Sequence, residues 1–232
     1  MRTLTVGFDL DMTLIDSRPG IHAVYLALAA ETGVRIDADL AVSRLGPPLE
    51  QEIAHWYPAE RVEEMAGRYR EIYAVHAIAA SPALPGARES IAAIRAVGGR
   101  ALVVTAKHEP SARLHLDHLG IEPDALIGGL WAEAKAEALR VHGARVYVGD
   151  HTGDVRGARA AGALSVGVAT GPCGADELAA AGADVVLPDL TAFPEWFAAY
   201  AESADTADIG DAASAADTYA RAYSDEERAS RR

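Results

Sequence analysis

Four aspartates stand in two acidic pairs, each directly after an apolar run. The stretch FDLDMTL places Asp9 and Asp11 on either side of one leucine, and VYVGDHTGD places Asp150 and Asp154 across a glycine-containing turn. Neighbouring carboxylates repel each other, and a divalent cation or a bound proton relieves the repulsion. Either pair alone is equally compatible with aspartates that cap backbone amides in a surface turn. Together, the two pairs favour a hard-cation site of the kind that binds Mg²⁺.

An anionic ligand beside such a cation needs further donors. Thr105 closes the apolar run ALVVT, before a small residue and a predicted helix start, where free backbone amides bind anions. Lys135, in WAEAKAEAL, can supply a mobile positive charge. The chain has nineteen arginines but only two lysines, so the positions of these lysines are of interest. Helix lysines are ordinarily solvated, and Lys107 has the same interpretation with a less favourable position.

The elements that must position these residues follow an alternating pattern. Residues 3–8 form an apolar, β-rich run that ends in the first acidic pair. From Pro85 onward, predicted helices at 87–97, 110–119, 132–142, 153–161 and 175–181 alternate with predicted strands at 100–105, 125–127, 145–148, 164–168 and 185–187. This alternation predicts an α/β fold, a Rossmann-like parallel sheet with helices on both faces. Ligands bind beyond the carboxyl ends of such strands, so Asp9, Thr105 and Asp150 should converge.

The domain organisation is predicted from breaks in this pattern. Residues 17–80 have helical spacing, broken at Gly46-Pro47-Pro48 and at Pro58, and are expected to form an all-helical cap domain inserted after the first strand. The core domain would then comprise residues 1–16 and 81–200. Residues 201–232 drift to alanine, aspartate, serine, glutamate and arginine, and we expect an acidic tail that is disordered or loosely helical.

Composition excludes several classes of partner. The chain has 232 residues, half of them apolar, and a formal charge of −13, which argues against binding to nucleic acid or to an anionic membrane. The apolar runs are too short for a membrane span, and the N-terminus lacks the pattern of a signal peptide. The single Cys173 permits no intrachain disulfide. We therefore expect a cytoplasmic protein, with the choice between monomer and homodimer left open.

The ordered set of motifs resembles a known family. FDLDMTLID, LVVTAK, Lys135 and VGDHTGD, in this order, look like the four motifs of the haloacid dehalogenase superfamily of phosphohydrolases. The resemblance covers about residues 4 to 190. The helical insertion stands where the phosphoglycolate-phosphatase-like subgroup carries a helical cap, and RGARAAGALSVGVATG also resembles that subgroup.

The resemblance implies a role for each matching residue. Asp9 would be the nucleophile that forms an aspartyl-phosphate, and Asp11 would be the general acid for the leaving alcohol and then the base for water. The Mg²⁺ ligands would be the Asp9 carboxylate, the backbone carbonyl of Asp11 and Asp150, with Asp154 assisting directly or through water. Thr105 and Lys135 would hold the phosphoryl oxygens. The presence of Asp11 disfavours dehalogenation, since the true dehalogenases of the family lack an acid there.

Phosphate binding and substrate selection involve further residues. Ala106 stands where many relatives have asparagine, but its backbone amide can still bind phosphate. Arg44, beside the rigid Gly46-Pro47-Pro48 turn, is a candidate specificity residue. Arg68 and Arg70 could meet a carboxylate or a second phosphate of a substrate, although the packing face formed by their neighbours indicates solvated helix arginines. His151 is not assigned as a catalytic base, because Asp11 already takes the proton chemistry and the loop position would face solvent. Cys173 is interpreted as structural.

The hypothesis from the sequence is a Mg²⁺-dependent phosphatase of a small phosphorylated metabolite, possible substrates including a phosphoglycolate-like acid. A phosphosugar mutase with the same core and a non-catalytic metabolite-binding descendant are the alternatives. A receiver domain of a signalling system is disfavoured, because such domains carry the phosphorylated aspartate on a later strand and lack a helical insert.

Overall fold

A six-stranded parallel sheet forms the centre of the computed structural model, which describes residues 3–206. The strands lie in the order β3-β2-β1-β4-β5-β6, so β1 is central and has β2 on one side and β4 on the other. All five strand pairings are parallel. The strand bounds are β1 Thr5–Phe8, β2 Arg100–Val104, β3 Ala125–Ile127, β4 Val146–Gly149, β5 Leu164–Val168 and β6 Val185–Leu187.

Helices cover both faces of this sheet, which explains why the strands are continuous apolar runs. In β2, Ala101 and Val103 belong to one hydrophobic cluster, while Leu102 and Val104 belong to another on the opposite face. A helical insertion follows β1, and the helices after it are α5 Ala87–Ala96, α6 Glu109–Leu119, α7 Lys135–Val141, α8 Thr152–Ala161, α9 Ala175–Ala180 and α10 Phe193–Thr206. The predicted Rossmann-like α/β fold is confirmed.

The insertion between β1 and α5 is helical and has a hydrophobic cluster of its own. Its helices are α1 Arg18–Thr32, α2 Ala38–Ser43, α3 Leu49–Ile53 and α4 Val62–His76. The cluster runs from Ile21 to Ala77 and includes the tyrosines Tyr25 and Tyr69, whose ring centroids are 5.0 Å apart. The breaks predicted at Gly46-Pro47-Pro48 and Pro58 fall between helices. The division into a core domain and a cap domain at residues 17 and 80 stays a prediction.

Helix α10 was not predicted from the sequence. Phe193, Trp196, Phe197 and Tyr200 are buried on it and belong to the main cluster of the sheet. The helix continues to Thr206, so residues 201–206 of the expected tail are helical. The remainder of the tail prediction, on residues 207–232, lies outside the described residues.

Within residues 3–206, no helix has the length and apolar character that a membrane crossing requires.

Candidate active site

The site lies where the order of the strands reverses about β1. β1 ends at Phe8 and β4 ends at Gly149, so Asp9 and Asp150 leave two neighbouring strands at the same edge of the sheet. The backbone amide of Asp9 donates a hydrogen bond to the carbonyl of Val148 at 2.8 Å, which fixes the start of the loop. The predicted convergence of these two aspartates is therefore found in the structure.

Asp154 completes a cluster of three buried carboxylates. One carboxylate oxygen from each of Asp9, Asp150 and Asp154 lies within 4.8 Å of the others. Asp154 is on the first turn of α8, where its Oδ2 accepts a hydrogen bond from the His151 amide at 3.1 Å. A Cβ atom at Gly149 would lie 2.4 Å from the Asp154 side chain, so the close approach of this turn requires glycine at that position.

Lys135 is buried among these carboxylates and is 1% exposed. Its Nζ donates to Asp154 Oδ1 at 2.6 Å, to the Tyr147 hydroxyl at 2.8 Å and to Asp9 Oδ1 at 2.9 Å. Burial alone would lower the pKa of Lys135, but the charges of Asp154 and Asp9 outweigh burial and raise the pKa above its ordinary value. Lys135 is therefore an ammonium group, and the sequence-based alternative of a solvated helix lysine is wrong.

The three carboxyl groups oppose one another's ionisation despite Lys135. Burial raises the pKa of Asp9 to about 6, against the lowering effect of Lys135, and Asp154 adds to the increase. Burial, followed by the charges of Asp154 and Asp9, raises the pKa of Asp150 well above its ordinary value, although Thr13 Oγ1 donates a hydrogen bond to it at 2.9 Å. Three carboxylates thus face one ammonium. Three close oxygen donors that repel one another when ionised suit a hard divalent cation, so the residues present fit the ion predicted from the sequence.

Asp11 and Lys107 form a second ion pair near the first. Lys107 Nζ donates to Asp11 Oδ1 at 2.8 Å and to Oδ2 at 3.1 Å, and it also lies 4.7 Å from the centre of the Tyr73 ring on α4. Burial would raise the pKa of Asp11, but the Lys107 charge and its hydrogen bonds outweigh burial and lower the pKa. Asp11 is therefore a carboxylate in this arrangement.

Thr105 and Ala106 follow β2 at the same edge of the sheet. Thr105 is buried, and its Oγ1 accepts a hydrogen bond from the Lys107 amide at 3.2 Å. Both residues line a cavity of about 390 Å³ that Asp9 and Asp11 also line. The Ala106 side chain brings no polar atom to this cavity, whereas an asparagine would.

Arg44 also lines this cavity, but a carboxylate already holds its guanidinium group. Its Nε donates to Glu52 Oε2 at 3.0 Å and its Nη2 donates to Glu52 Oε1 at 2.5 Å. The guanidinium carbon lies 5.7 Å from the centre of the Trp56 ring. A direct contact of Arg44 with a substrate, predicted from the sequence, stays a prediction.

Several residues of the site were missed or underrated in the sequence. Lys107 was judged less favourably placed than Lys135, yet it forms the ion pair with Asp11. The signal that could have identified it is the rarity of lysine in this chain. Tyr147 lies inside strand β4, and nothing in its local sequence indicates that its hydroxyl meets Lys135. His151 caps helix α8, a role that was not predicted: its Nδ1 accepts a hydrogen bond from the Gly153 amide at 3.0 Å. Cys173 is buried.

Carboxylates and a lysine therefore gather at the reversal of strand order in a parallel sheet, which is where Rossmann-like α/β proteins bind their ligands. The family described as haloacid dehalogenase-like hydrolase matches residues 6–168, and the chain belongs to this family. The family predicted from the four motifs is therefore confirmed.

Several relatives are similar to much of the chain. The tyrosine-protein kinase PtkA of Mycobacterium tuberculosis is 33% identical over 180 residues, which are 72% of this chain and 62% of that protein. The chain thus spans less than two thirds of the length of this relative. A phosphoglycolate phosphatase of Chromobacterium violaceum is 29% identical over 211 residues, covering 80% of this chain and 92% of that protein.

A solved structure supports the fold. The haloacid dehalogenase-like hydrolase SP0104 of Streptococcus pneumoniae has a TM-score of 0.74 and 23% identity, and the match covers 84% of this chain and 98% of that chain. At this level of identity, the likeness concerns the fold alone.

Proposed function

We propose that this protein is a Mg²⁺-dependent phosphatase that hydrolyses a small phosphomonoester through an aspartyl-phosphate on Asp9. The observation that carries the proposal is the position of the Asp9 carboxylate. It is buried at the end of the central strand and bonded to Lys135, and it belongs to the three-carboxylate cluster while lining a cavity of about 390 Å³. The proposed nucleophile, the proposed cation site and a cavity for the substrate therefore meet at the Asp9 carboxylate.

The first half of the reaction transfers the phosphoryl group to Asp9. An oxygen of its carboxylate attacks phosphorus, and the bond between phosphorus and the leaving alcohol breaks. The Thr105 hydroxyl and Lys135 would hold phosphoryl oxygens, Lys135 in exchange for one of the three acceptors that it now bonds. Lys135 also favours the ionised form of Asp9 by opposing the effect of burial on its pKa. When bound, a divalent cation at Asp9, Asp150 and Asp154 would offset the repulsion between carboxylates and phosphate.

The second half of the reaction transfers the phosphoryl group from Asp9 to water. Water attacks phosphorus, the bond to Asp9 breaks, and Asp11 accepts the proton of the water. Asp11 is already ionised beside Lys107, so it can act as this base as it stands. For the first half, Asp11 must take up a proton and weaken its pair with Lys107 before it protonates the leaving alcohol.

The test is hydrolysis of p-nitrophenyl phosphate in MgCl₂ by wild type, by Asp9→Asn and by Asp117→Asn. Asp117 is an exposed residue of α6, so the third protein controls for the chemical change at a distant position. We expect wild type and Asp117→Asn to release inorganic phosphate equally and Asp9→Asn to fall to the reagent background. Equal slow turnover by all three proteins would contradict the proposal. In a separate incubation with a sugar phosphate, isomerised product without phosphate release would favour the mutase.

A further inference from the structure

Two carboxylates of helix α3 neutralise the two arginines that line the cavity. Glu50 Oε1 accepts a hydrogen bond from Arg70 Nη2 at 2.5 Å, and both oxygens of Glu52 accept from Arg44. All four residues line the same cavity as the Asp9 carboxylate. The part of the cavity that would surround a leaving group therefore contains two positive and two negative charges, which offset each other.

The same pairing holds at the phosphate end. Among the described residues, the arginines and lysines that line the cavity are Arg44, Arg70 and Lys107, and each has a carboxylate partner. A carboxylate or a second phosphate on a substrate would have to share one of these cations with a resident carboxylate. Such like-charge contacts select against a ligand as effectively as new attractive contacts select for one.

The remaining lining of the cavity suits an uncharged group. Apolar and aromatic side chains make up much of it, among them Ile21, Tyr25, Leu45, Pro47, Pro48, Leu49 and Tyr69. The Nε of Arg70 is buried without a hydrogen-bond partner among residues 3–206. A hydroxyl or carbonyl oxygen would satisfy this N–H donor without adding charge, since Glu50 already balances the arginine.

We propose that the substrate is a phosphomonoester of an uncharged alcohol, and that phosphoglycolate and bisphosphorylated compounds are poor substrates. The inference rests on the proposed phosphatase activity. It replaces the phosphoglycolate-like acid that the sequence suggested with a leaving group that brings hydroxyl or carbonyl oxygens and apolar surface to the side of α3.

Three phosphomonoesters with two-carbon leaving groups test this charge selection. They are 2-phosphoglycolate, 2-hydroxyethyl phosphate and O-phosphoethanolamine, whose leaving groups carry a carboxylate, no charge and an ammonium group. We expect kcat/KM for 2-hydroxyethyl phosphate to exceed that for either charged ester by about tenfold. A preference for 2-phosphoglycolate, or for O-phosphoethanolamine, would overturn the inference.

Glu50→Gln provides a second, independent measurement, because it leaves Arg70 with an uncompensated charge. This variant should raise the ratio of kcat/KM for 2-phosphoglycolate over 2-hydroxyethyl phosphate by about threefold or more. Glu52→Gln leaves Arg44 with an uncompensated charge and should also raise this ratio. It provides the measurement if Glu50→Gln does not fold. Glu71→Gln is the matched control, because Glu71 pairs with Arg68 on the exposed surface of α4 and should leave the ratio unchanged.

The outcomes separate the two proposals. An unchanged ratio in both cavity variants, with all proteins active, would overturn the charge selection alone. Absence of phosphate release from every ester and from p-nitrophenyl phosphate would overturn the proposed phosphatase activity, and the inference with it.

Discussion

Replacing Lys135 with methionine should destabilise the protein by about 3 to 5 kcal/mol, because it removes one partner of a buried ion pair and leaves the other charges uncompensated. The Lys135 ammonium is 1% exposed and has three hydrogen-bond partners, two of them the carboxylates of Asp154 and Asp9. Methionine is unbranched and similar in length, so it should fill the space with little strain. The loss of free energy therefore reports charge rather than packing.

The assay is urea unfolding at pH 7 without divalent metal, followed by far-ultraviolet circular dichroism. Arg156→Met is the matched control: it removes an exposed pair with Glu133, and we expect it to change the free energy of unfolding by less than about 1 kcal/mol. The destabilisation in Lys135→Met should shrink at pH 5, since Lys135 lowers the pKa of Asp9 and its removal lets the buried carboxyl groups protonate. MgCl₂ should restore part of the loss by binding the folded cluster.

A loss below about 1 kcal/mol for Lys135→Met, equal to that of the control, would refute this reasoning. It would mean that the buried carboxylates do not depend on the ammonium for their charge balance.

Two further substitutions test the contacts between the helical insertion and the rest of the chain. Gly46→Ala should lower kcat/KM about tenfold or more and also lower the melting temperature, because φ is 131° there and a Cβ atom would lie 2.8 Å from the His151 ring and 3.1 Å from the Trp131 ring. Gly33→Ala, at a φ of 70° but with no atom within 4 Å, is the control, and equal activity losses in the two variants would contradict this view. His115→Gln should remove a pH dependence of stability: burial lowers the pKa of His115 to about 4 from 6.5, so the neutral ring stabilises the fold fully above pH 6.5 and this contribution falls toward pH 4. The difference in the free energy of unfolding between wild type and variant should thus change by up to about 3 kcal/mol between pH 7 and pH 4, and parallel pH profiles would refute it.

The parallel sheet could be predicted because its signals are local. An apolar strand buried on both faces is a continuous apolar run, and β3, β5 and β6 have the predicted bounds. Helix α10 was missed although its signal is local: Phe193, Trp196, Phe197 and Tyr200 stand at the i, i+3, i+4 and i+7 spacing of an amphipathic helix, and all four are buried against the sheet.

The carboxylates of the site could also be predicted, since the carboxyl ends of β1 and β4 meet wherever these strands are neighbours. The partners of those carboxylates were harder to predict. The pair of Lys107 with Asp11 joins residues 96 positions apart, and the pairing of Arg44 with Glu52 depends on side-chain conformations within the insertion. Both contacts decide which charges are free to meet a substrate, so the charge balance of the cavity becomes visible only in the folded structure.

The most direct test of the central claim is to look for the phosphoryl group on Asp9. Wild type would be mixed with radiolabelled p-nitrophenyl phosphate and MgCl₂, quenched in acid within the first turnover and reduced with borohydride, and its peptides would then be mapped. We predict protein-bound label that hydroxylamine releases, with the reduced residue at Asp9 and none in Asp9→Asn. Phosphate release with no label on the protein before reduction, or a reduced residue mapped to another position, would contradict the account.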